Sequence, residues 1–338
     1  MGRDAIVIGS AKADETGVFY GAFKVGELND SSPVEVPVCI VRGAARGPVL
    51  WLQNAIHGDE YVGLGGIQWV LRDVRPEQLA GTIVAIPAAN PLAFRARGRA
   101  APQDGMDANR SYPGKPLETA MHLTAHTELL VYELFRYMME YADVIVDCHD
   151  GSTVCTMAPY AAYYEGPAEF QKASRALAIA SGMTIVWRTM GGFTAEKFPN
   201  SLKVYLGQKG VPGLTLEVGG RGQLDRADVA RMHGALMNIL RHLGMIEGQV
   251  TVPEPAVFIN KGNWMRPAAG GVFWPEVQPA QRVRKGDLFA VVTDLFGREK
   301  ERLLCPADGI VVGVRVSGTT HSGEYCGNVG EVDPDDTR

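Results

Sequence analysis

Apolar positions along the chain fall into two patterns. Short continuous runs, bounded by glycine and proline, predict β-strands over residues 34–41, 48–53, 81–87, 143–147 and 212–217. Longer stretches with apolar residues at helical spacing predict helices over 61–74, 117–141, 167–181 and 225–243. Strands alternating with helices define an α/β layer fold. After about Gly248 the helical period disappears, and glycine and proline recur between short β-rich pieces at 270–273, 288–293 and 309–316. The pattern predicts a main domain over 1–248, in which a β-rich extension (about 1–45) lengthens the main sheet. A small all-β domain is expected over 249–338, with 251–255 as the linker.

Composition narrows the class. Of 338 residues 46% are hydrophobic, enough to bury a core without covalent staples. The net charge of −5 gives no basic stripe for nucleic acid, so no nucleic-acid partner is expected. No apolar run reaches the ~18 residues of a membrane helix, and the N-terminus lacks a secretory apolar stretch. The five cysteines are scattered and never in a CxxC pair, which predicts reduced thiols and a cytoplasmic protein.

The chemistry gathers where strands end. The strand at 49–53 runs into Asn54-Ala55-Ile56-His57-Gly58-Asp59-Glu60, and the strand at 83–87 into Asn90-Pro91. The strand at 144–147 runs into Cys148-His149-Asp150-Gly151, and the strand at 214–216 into Glu217-Val218-Gly219-Gly220. Sites in open α/β sheets form at the carboxyl ends of strands. Side-by-side placement would bring His57, Glu60, His149 and Glu217 into one crevice. Two histidines and a glutamate are a common catalytic zinc set, leaving Glu217 free as a base for water. A His-x-x-Glu pair alone is a weak signal, and Asp147 reads equally as a turn residue; the register of several such residues carries the case.

Other motifs compete. His122 and His126 share a helix face but lack the glutamate of His-Glu-x-x-His zincins, so they read as a solvated face. His233, His242 and His321 have no obvious partners. The loop at 94–114 carries Arg95, Arg97, Arg99 and Arg110 together with Asp104 and Asp107. An Asn109-Arg110 pair facing a metal reads as a carboxylate anchor, because a guanidinium grips a carboxylate with two hydrogen bonds. Gly63, Gly65 and Gly66 fall inside a helix and do not match a dinucleotide fingerprint.

These pieces together resemble the succinylglutamate desuccinylase/aspartoacylase family of zinc carboxypeptidase-like hydrolases. The resemblance rests on NAIHGDE at 54–60, NPLAF at 90–94, NRSYPG at 109–114, DCHDG at 147–151 and TLEVGG at 215–220, in order. The C-terminal pieces at 270–273, 283–286 and 306–309 resemble that family's β domain. The resemblance implies a mixed central β-sheet flanked by helices, with a C-terminal all-β domain narrowing the site. It implies one Zn2+ on His57, Glu60 and His149, Glu217 as general base and acid, Arg99 polarising the scissile carbonyl, and Asn109 with Arg110 on the substrate carboxylate.

The chain departs from the family pattern in places. Ala108 and Tyr112 replace the usual Leu and Phe, which are packing changes. Upstream of Glu217 the chain reads Ser201-Leu202-Lys203-Val204-Tyr205, without the second arginine of aspartoacylases. That points away from N-acetylaspartate or succinylglutamate. The length and the N-terminal extension resemble the N-acetyl-diamino-acid deacetylase branch. The expectation is a zinc-dependent deacylase acting on a small N-acyl amino acid. A metallocarboxypeptidase for short peptides and a non-catalytic metal- or amino-acid-binding protein are the alternatives, and homo-oligomerisation is left open.

Overall fold

The computed structural model describes residues 5–117, 125–164, 166–189, 198–252 and 256–333. A hairpin of β1 (Ile6–Ile8) and β2 (Ala11–Ala13) opens the chain, followed by β3 (Gly17–Glu27), β4 (Pro33–Arg42) and β5 (Ala45–Gln53). Next come α1 (Val62–Asp73), β6 (Ala80–Ile86), α2 (Pro91–Ala96), α3 (His126–Tyr141), β7 (Val144–His149) and β8 (Cys155–Tyr164). Then follow α4 (Ala168–Ala180), β9 (Ile185–Thr189), α5 (Leu202–Lys209), β10 (Gly213–Gly220) and α6 (Arg226–His242). The remainder is strands: β11 (Val257–Met265), β12 (Gly271–Pro275), β13 (Arg282–Val283), β14 (Leu288–Thr293), β15 (Glu299–Leu304), β16 (Gly309–Arg315), β17 (Thr319–Thr320) and β18 (Gly327–Val332).

Twelve strands form one mixed sheet in the order β13-β16-β18-β11-β9-β8-β10-β7-β5-β6-β4-β3. Its centre, β10-β7-β5-β6, is parallel, so four carboxyl ends lie side by side. These are the four strands whose following loops carry the candidate residues. Both faces of this centre are covered. Leu50 and Leu52 pack on one side with Val70 of α1 and Leu236 of α6, while Trp51 packs on the other with Leu134 of α3. Burial on both faces is why these strands read as unbroken apolar runs.

The β-rich N-terminal stretch extends the sheet through the antiparallel strands β4 and β3. After residue 248 four strands, β11, β13, β16 and β18, join the same sheet, and β16 pairs with β8 as well. Strands β8, β9, β11, β18 and β16 thereby close into a five-stranded ring. A second sheet, β15-β14-β12-β17, stands outside it.

Several elements differ from the sequence reading. Strand β8 escaped it because CTMAPYAAYY has few β-branched residues and contains Pro159. That proline falls in a bulge, between the pairs Glu217–Tyr160 and Gly219–Met157, where no ladder N–H is needed. Helices α2 and α5 are too short to show a period. Of the helix expected over 117–141, the described part runs His126–Tyr141, and 118–124 lie outside the described residues. The same holds for 253–255 of the expected linker. Among the described residues no helix is long and apolar enough to cross a membrane, and all five cysteines are free and buried.

The glycines of α1 serve packing. A side-chain carbon at Gly65 would meet Val229 of α6 at 2.7 Å, and one at Gly66 would meet Met232 at 2.5 Å. At Gly63 it would come within 2.1 Å of Asn54 Oδ1 and 2.5 Å of Cys148 Cβ, so α1 can only start where it does with glycine there.

Candidate active site

The loop after β5 is set by its neighbours. Asn54 N donates to Ile86 O at 3.0 Å and Asn90 N donates to Ala55 O at 3.0 Å, holding Ala55 in the left-handed region at φ 53°. Asn54 Nδ2 donates to Glu60 O at 3.0 Å. His57 and Glu60 are thereby aimed back over the sheet. The next parallel strand, β7, delivers His149 beside them. Asp150 ties the two segments together, accepting from Tyr61 N at 2.7 Å and Val62 N at 3.0 Å where α1 begins.

His57, Glu60 and His149 are all buried, and their donor atoms lie within 4.8 Å of one another. Among the described residues this is the one such His/Cys/Asp/Glu group that could hold a metal ion. The Glu60 carboxylate spans the two rings, 2.7 Å from His57 Nδ1 and 2.7 Å from His149 Nδ1. The far nitrogens are also taken: His57 Nε2 lies 3.1 Å from Asp107 Oδ1, and His149 Nε2 lies 2.9 Å from Asp147 Oδ2. Carboxylates behind histidine fix the ring and leave the facing nitrogen as a lone-pair donor, an arrangement typical of metal sites. Burial works against charge on Glu60, but the two imidazoles outweigh it and hold the carboxyl well below its usual range. Burial likewise disfavours His149 as a cation, yet Asp147 and Glu60 raise its pKa well above the ordinary value. Two buried imidazoles, each backed by an acid, converge with a carboxylate on one point and fit a divalent cation by their donor set.

Glu217 is placed by β10, in register with His149 of β7 on one side and Tyr160 of β8 on the other. Burial, then its acidic neighbours Glu60 and Asp150 against the opposing pull of His149, pushes its pKa up to about 8. It lines the same cavity, of about 510 Å³, as the triad.

The arginine loop folds over the site. Asp107 Oδ2 accepts from Arg99 Nε at 3.1 Å and Nη2 at 2.9 Å, which brings Arg99 Nη1 within 3.4 Å of His57 Nδ1. Arg110 lies over the Phe198 ring at 4.2 Å, and its Nη1 donates to Asn109 O at 2.8 Å. Asn109 Oδ1 accepts from Leu202 N at 3.3 Å, pinning the start of α5. Seven expected site residues, His57, Glu60, Arg99, Asn109, Arg110, His149 and Glu217, thus line one cavity.

Other expectations need correction. Asp147 is no turn residue; it lies in β7 and accepts from His149 and from Gln53 Nε2 at 2.9 Å. Asn90 caps α2, accepting from Ala93 N at 3.1 Å, and so contributes scaffold, not chemistry. His122 lies outside the described residues. His126, expected on a solvated face, opens α3 with its Nε2 buried, and burial lowers its pKa. His233 Nε2 lies 3.2 Å from Asp73.

The sequence pattern expects a second arginine upstream of Glu217, and Lys203 offers a cation there instead. It lines the cavity with its ammonium 5.6 Å from the Phe198 ring and 5.9 Å from the Tyr164 ring, and no described acid pairs with it. Burial, with Arg110 nearby, lowers its pKa to about 8. Asp107 was also missed, although it stands two residues before Asn109 in the loop.

A parallel-centred sheet with this buried triad at its carboxyl edge defines a class. Residues 46–243 match the succinylglutamate desuccinylase/aspartoacylase catalytic domain, and the chain belongs to that family. It is similar to the N-alpha-acetyl-L-2,4-diaminobutyric acid deacetylase of Halomonas elongata, 26% identical over 340 residues, covering 98% of this chain and 96% of that protein. It is also similar to the product-bound ectoine utilization protein EutE (DoeB) of Ruegeria pomeroyi, at 26% identity and TM-score 0.85, covering 96% of this chain and 97% of that one. A succinylglutamate desuccinylase of Silicibacter sp. matches at 25% identity and TM-score 0.84, covering 97% of each chain.

Proposed function

We propose that the protein is a zinc-dependent amidohydrolase that removes a small acyl group from an N-acyl amino acid, on a zinc carboxypeptidase-like fold. The observation that carries this reading is the convergence of His57, Glu60 and His149 with Glu217 and a cationic wall in one cavity. Similarity to a diaminobutyric acid deacetylase over nearly the whole chain supports an N-acetyl-diamino acid as substrate.

His57, Glu60 and His149 would hold one Zn2+ per chain. Bound there, the cation supplies Lewis acidity that polarises an amide carbonyl and acidifies water. Glu217 does the proton work. Its carboxylate takes a proton from the water that adds to the amide carbon, and returns it to the nitrogen as the C–N bond breaks. Burial that raises the carboxyl pKa suits a group that must hold a proton between those steps. Arg99, oriented by Asp107, offers an N–H beside the donor cluster to the oxyanion as charge develops there. Arg110 and Lys203 grip the amino acid's carboxylate, while Asn109 sets the loop by capping α5. The products are a carboxylic acid and a free amino acid. Five buried free thiols fit a reducing cytoplasmic setting.

A deacylation screen across N-acyl amino acids, dipeptides and longer peptides tests the reading. Hydrolysis of N-acetyl-2,4-diaminobutyrate or a close analogue is expected, lost on chelation and restored by zinc. Preference for peptides, or no turnover of any N-acyl amino acid by the zinc-loaded protein, would overturn it.

A further inference from the structure

The cavity has a second end that the reaction centre does not use, and strand β8 runs from one end to the other. Tyr164, near the end of the strand, faces the Lys203 ammonium. Tyr160 stands in register with Glu217, and Met157 lies beyond, opposite Gly313 of β16. The bulge at Pro159 turns both Met157 and Tyr160 toward the cavity. At ~3.3 Å per strand residue, Lys203 and Met157 therefore lie on opposite sides of Glu217.

The Met157 end opens onto the five-stranded ring and is walled by an arc of aromatic rings. Tyr160 and Trp187 have centroids 5.5 Å apart, Trp187 and Trp264 6.5 Å, and Trp264 and Tyr325 5.2 Å. Gly262 of β11 makes room for this arc, since a side-chain carbon there would fall 2.6 Å from the Trp187 ring. Asn328 of β18, 1% exposed, completes it. Its Oδ1 accepts from the Tyr325 hydroxyl at 3.0 Å, but its Nδ2 has no hydrogen-bond partner. A buried amide donor without an acceptor is costly, and an oxygen on a ligand in the cavity that Asn328 lines would relieve that cost. Aromatic faces around it favour an apolar ligand, and a donor within them selects an oxygen on that ligand.

We propose that this recess is an acyl-group subsite in which Asn328 Nδ2 donates to a carbonyl oxygen borne on the chain of an acyl group longer than acetyl. The inference rests on the deacylase reading: a substrate held by its carboxylate at Arg110 and Lys203, and cut beside Glu217, extends its acyl portion past Tyr160 toward Asn328.

Binding to chelated protein tests the subsite without turnover. Calorimetry on 2,4-diaminobutyrate N-acylated with 4-oxopentanoyl or 5-oxohexanoyl groups is compared with the 4-methylpentanoyl and 5-methylhexanoyl isosteres. At one of these lengths wild-type protein binds the oxo ligand about tenfold tighter than its isostere. In Asn328→Leu that ratio falls to about one; being taken within one protein, it is insensitive to a general loss of affinity. Trp264→Leu, at the rim, weakens both members of a pair equally relative to the N-acetyl ligand. An oxo-to-methyl ratio at or below one at both lengths in wild type, or an unchanged ratio in Asn328→Leu, overturns the proposal. Should Asn328→Leu not fold, undiminished binding of the long-acyl ligands by Trp264→Leu overturns it. Hydrolysis by zinc-loaded protein is read separately. Intact oxo preference without any turnover supports the subsite and sinks the deacylase reading.

Discussion

Asp147 and His149 stand two residues apart on β7 and so project from the same face of the sheet, which places Asp147 Oδ2 2.9 Å from His149 Nε2. The strand's own period builds the carboxylate–histidine pair. Gln53 of the neighbouring strand donates to the other Asp147 oxygen at 2.9 Å, and Trp51 Nε1 donates to Gln53 at 3.3 Å, so the support reaches across β5.

If Asp147 orients a metal ligand, Asp147→Asn lowers zinc affinity by roughly 10–100-fold while the chain stays folded. Competition against a chromophoric chelator measures this. Wild-type affinity in the variant would leave Asp147 a purely structural residue.

Glu217→Ala retains about one zinc per chain and loses roughly 10²–10⁴ in kcat if proton transfer is its main role. Metal content and steady-state kinetics on the same preparation decide it. Unchanged kcat removes Glu217 from the mechanism.

Lys203 holds a charge in a desolvated place with no described acid to meet it. Lys203→Met therefore raises KM about tenfold for a carboxylate-bearing substrate and raises the melting temperature by a few degrees at pH 7. Between about pH 8 and the ordinary lysine value of 10.5 the unfolded chain binds more protons at this position than the folded one. Wild-type stability gains a rising contribution across that window, and Lys203→Met lacks it. Parallel melting curves at pH 7 and pH 10 that show no difference between the two proteins refute the assignment.

Gly63→Ala places a carbon 2.1 Å from Asn54 Oδ1, on the residue that holds Glu60 by its carbonyl. The expected cost is about 1–3 kcal/mol in urea unfolding, with weaker zinc retention, because α1 must retreat. A variant as stable as wild type would mean that the loop after β5 yields more easily than its hydrogen bonds imply.

Much of the site is legible in the chain because parallel strands end in reactive loops. Buried strands such as Val144–His149 have to be apolar on both faces, so their ends announce themselves. Adjacent strands in the order β10-β7-β5-β6 then bring Glu217, His149 and His57 with Glu60 together. Strand β8 was hidden, since a bulged, proline-bearing strand with one face on a cavity carries no simple period.

What the sequence determined by itself is local: the apolar runs, the turns that break them, and the residue types at each strand end. Tertiary structure decided the rest. Asp107 acts on His57 from 50 residues away, and Lys203 becomes a cavity residue only once α5 docks beside Arg110. Asn328 gains its unmet donor only when β16, besides its place beside β18, also pairs with β8 and closes the ring. Those relations depend on contacts between segments far apart in the chain, and no local pattern of hydrophobic and polar residues records which distant segment will arrive.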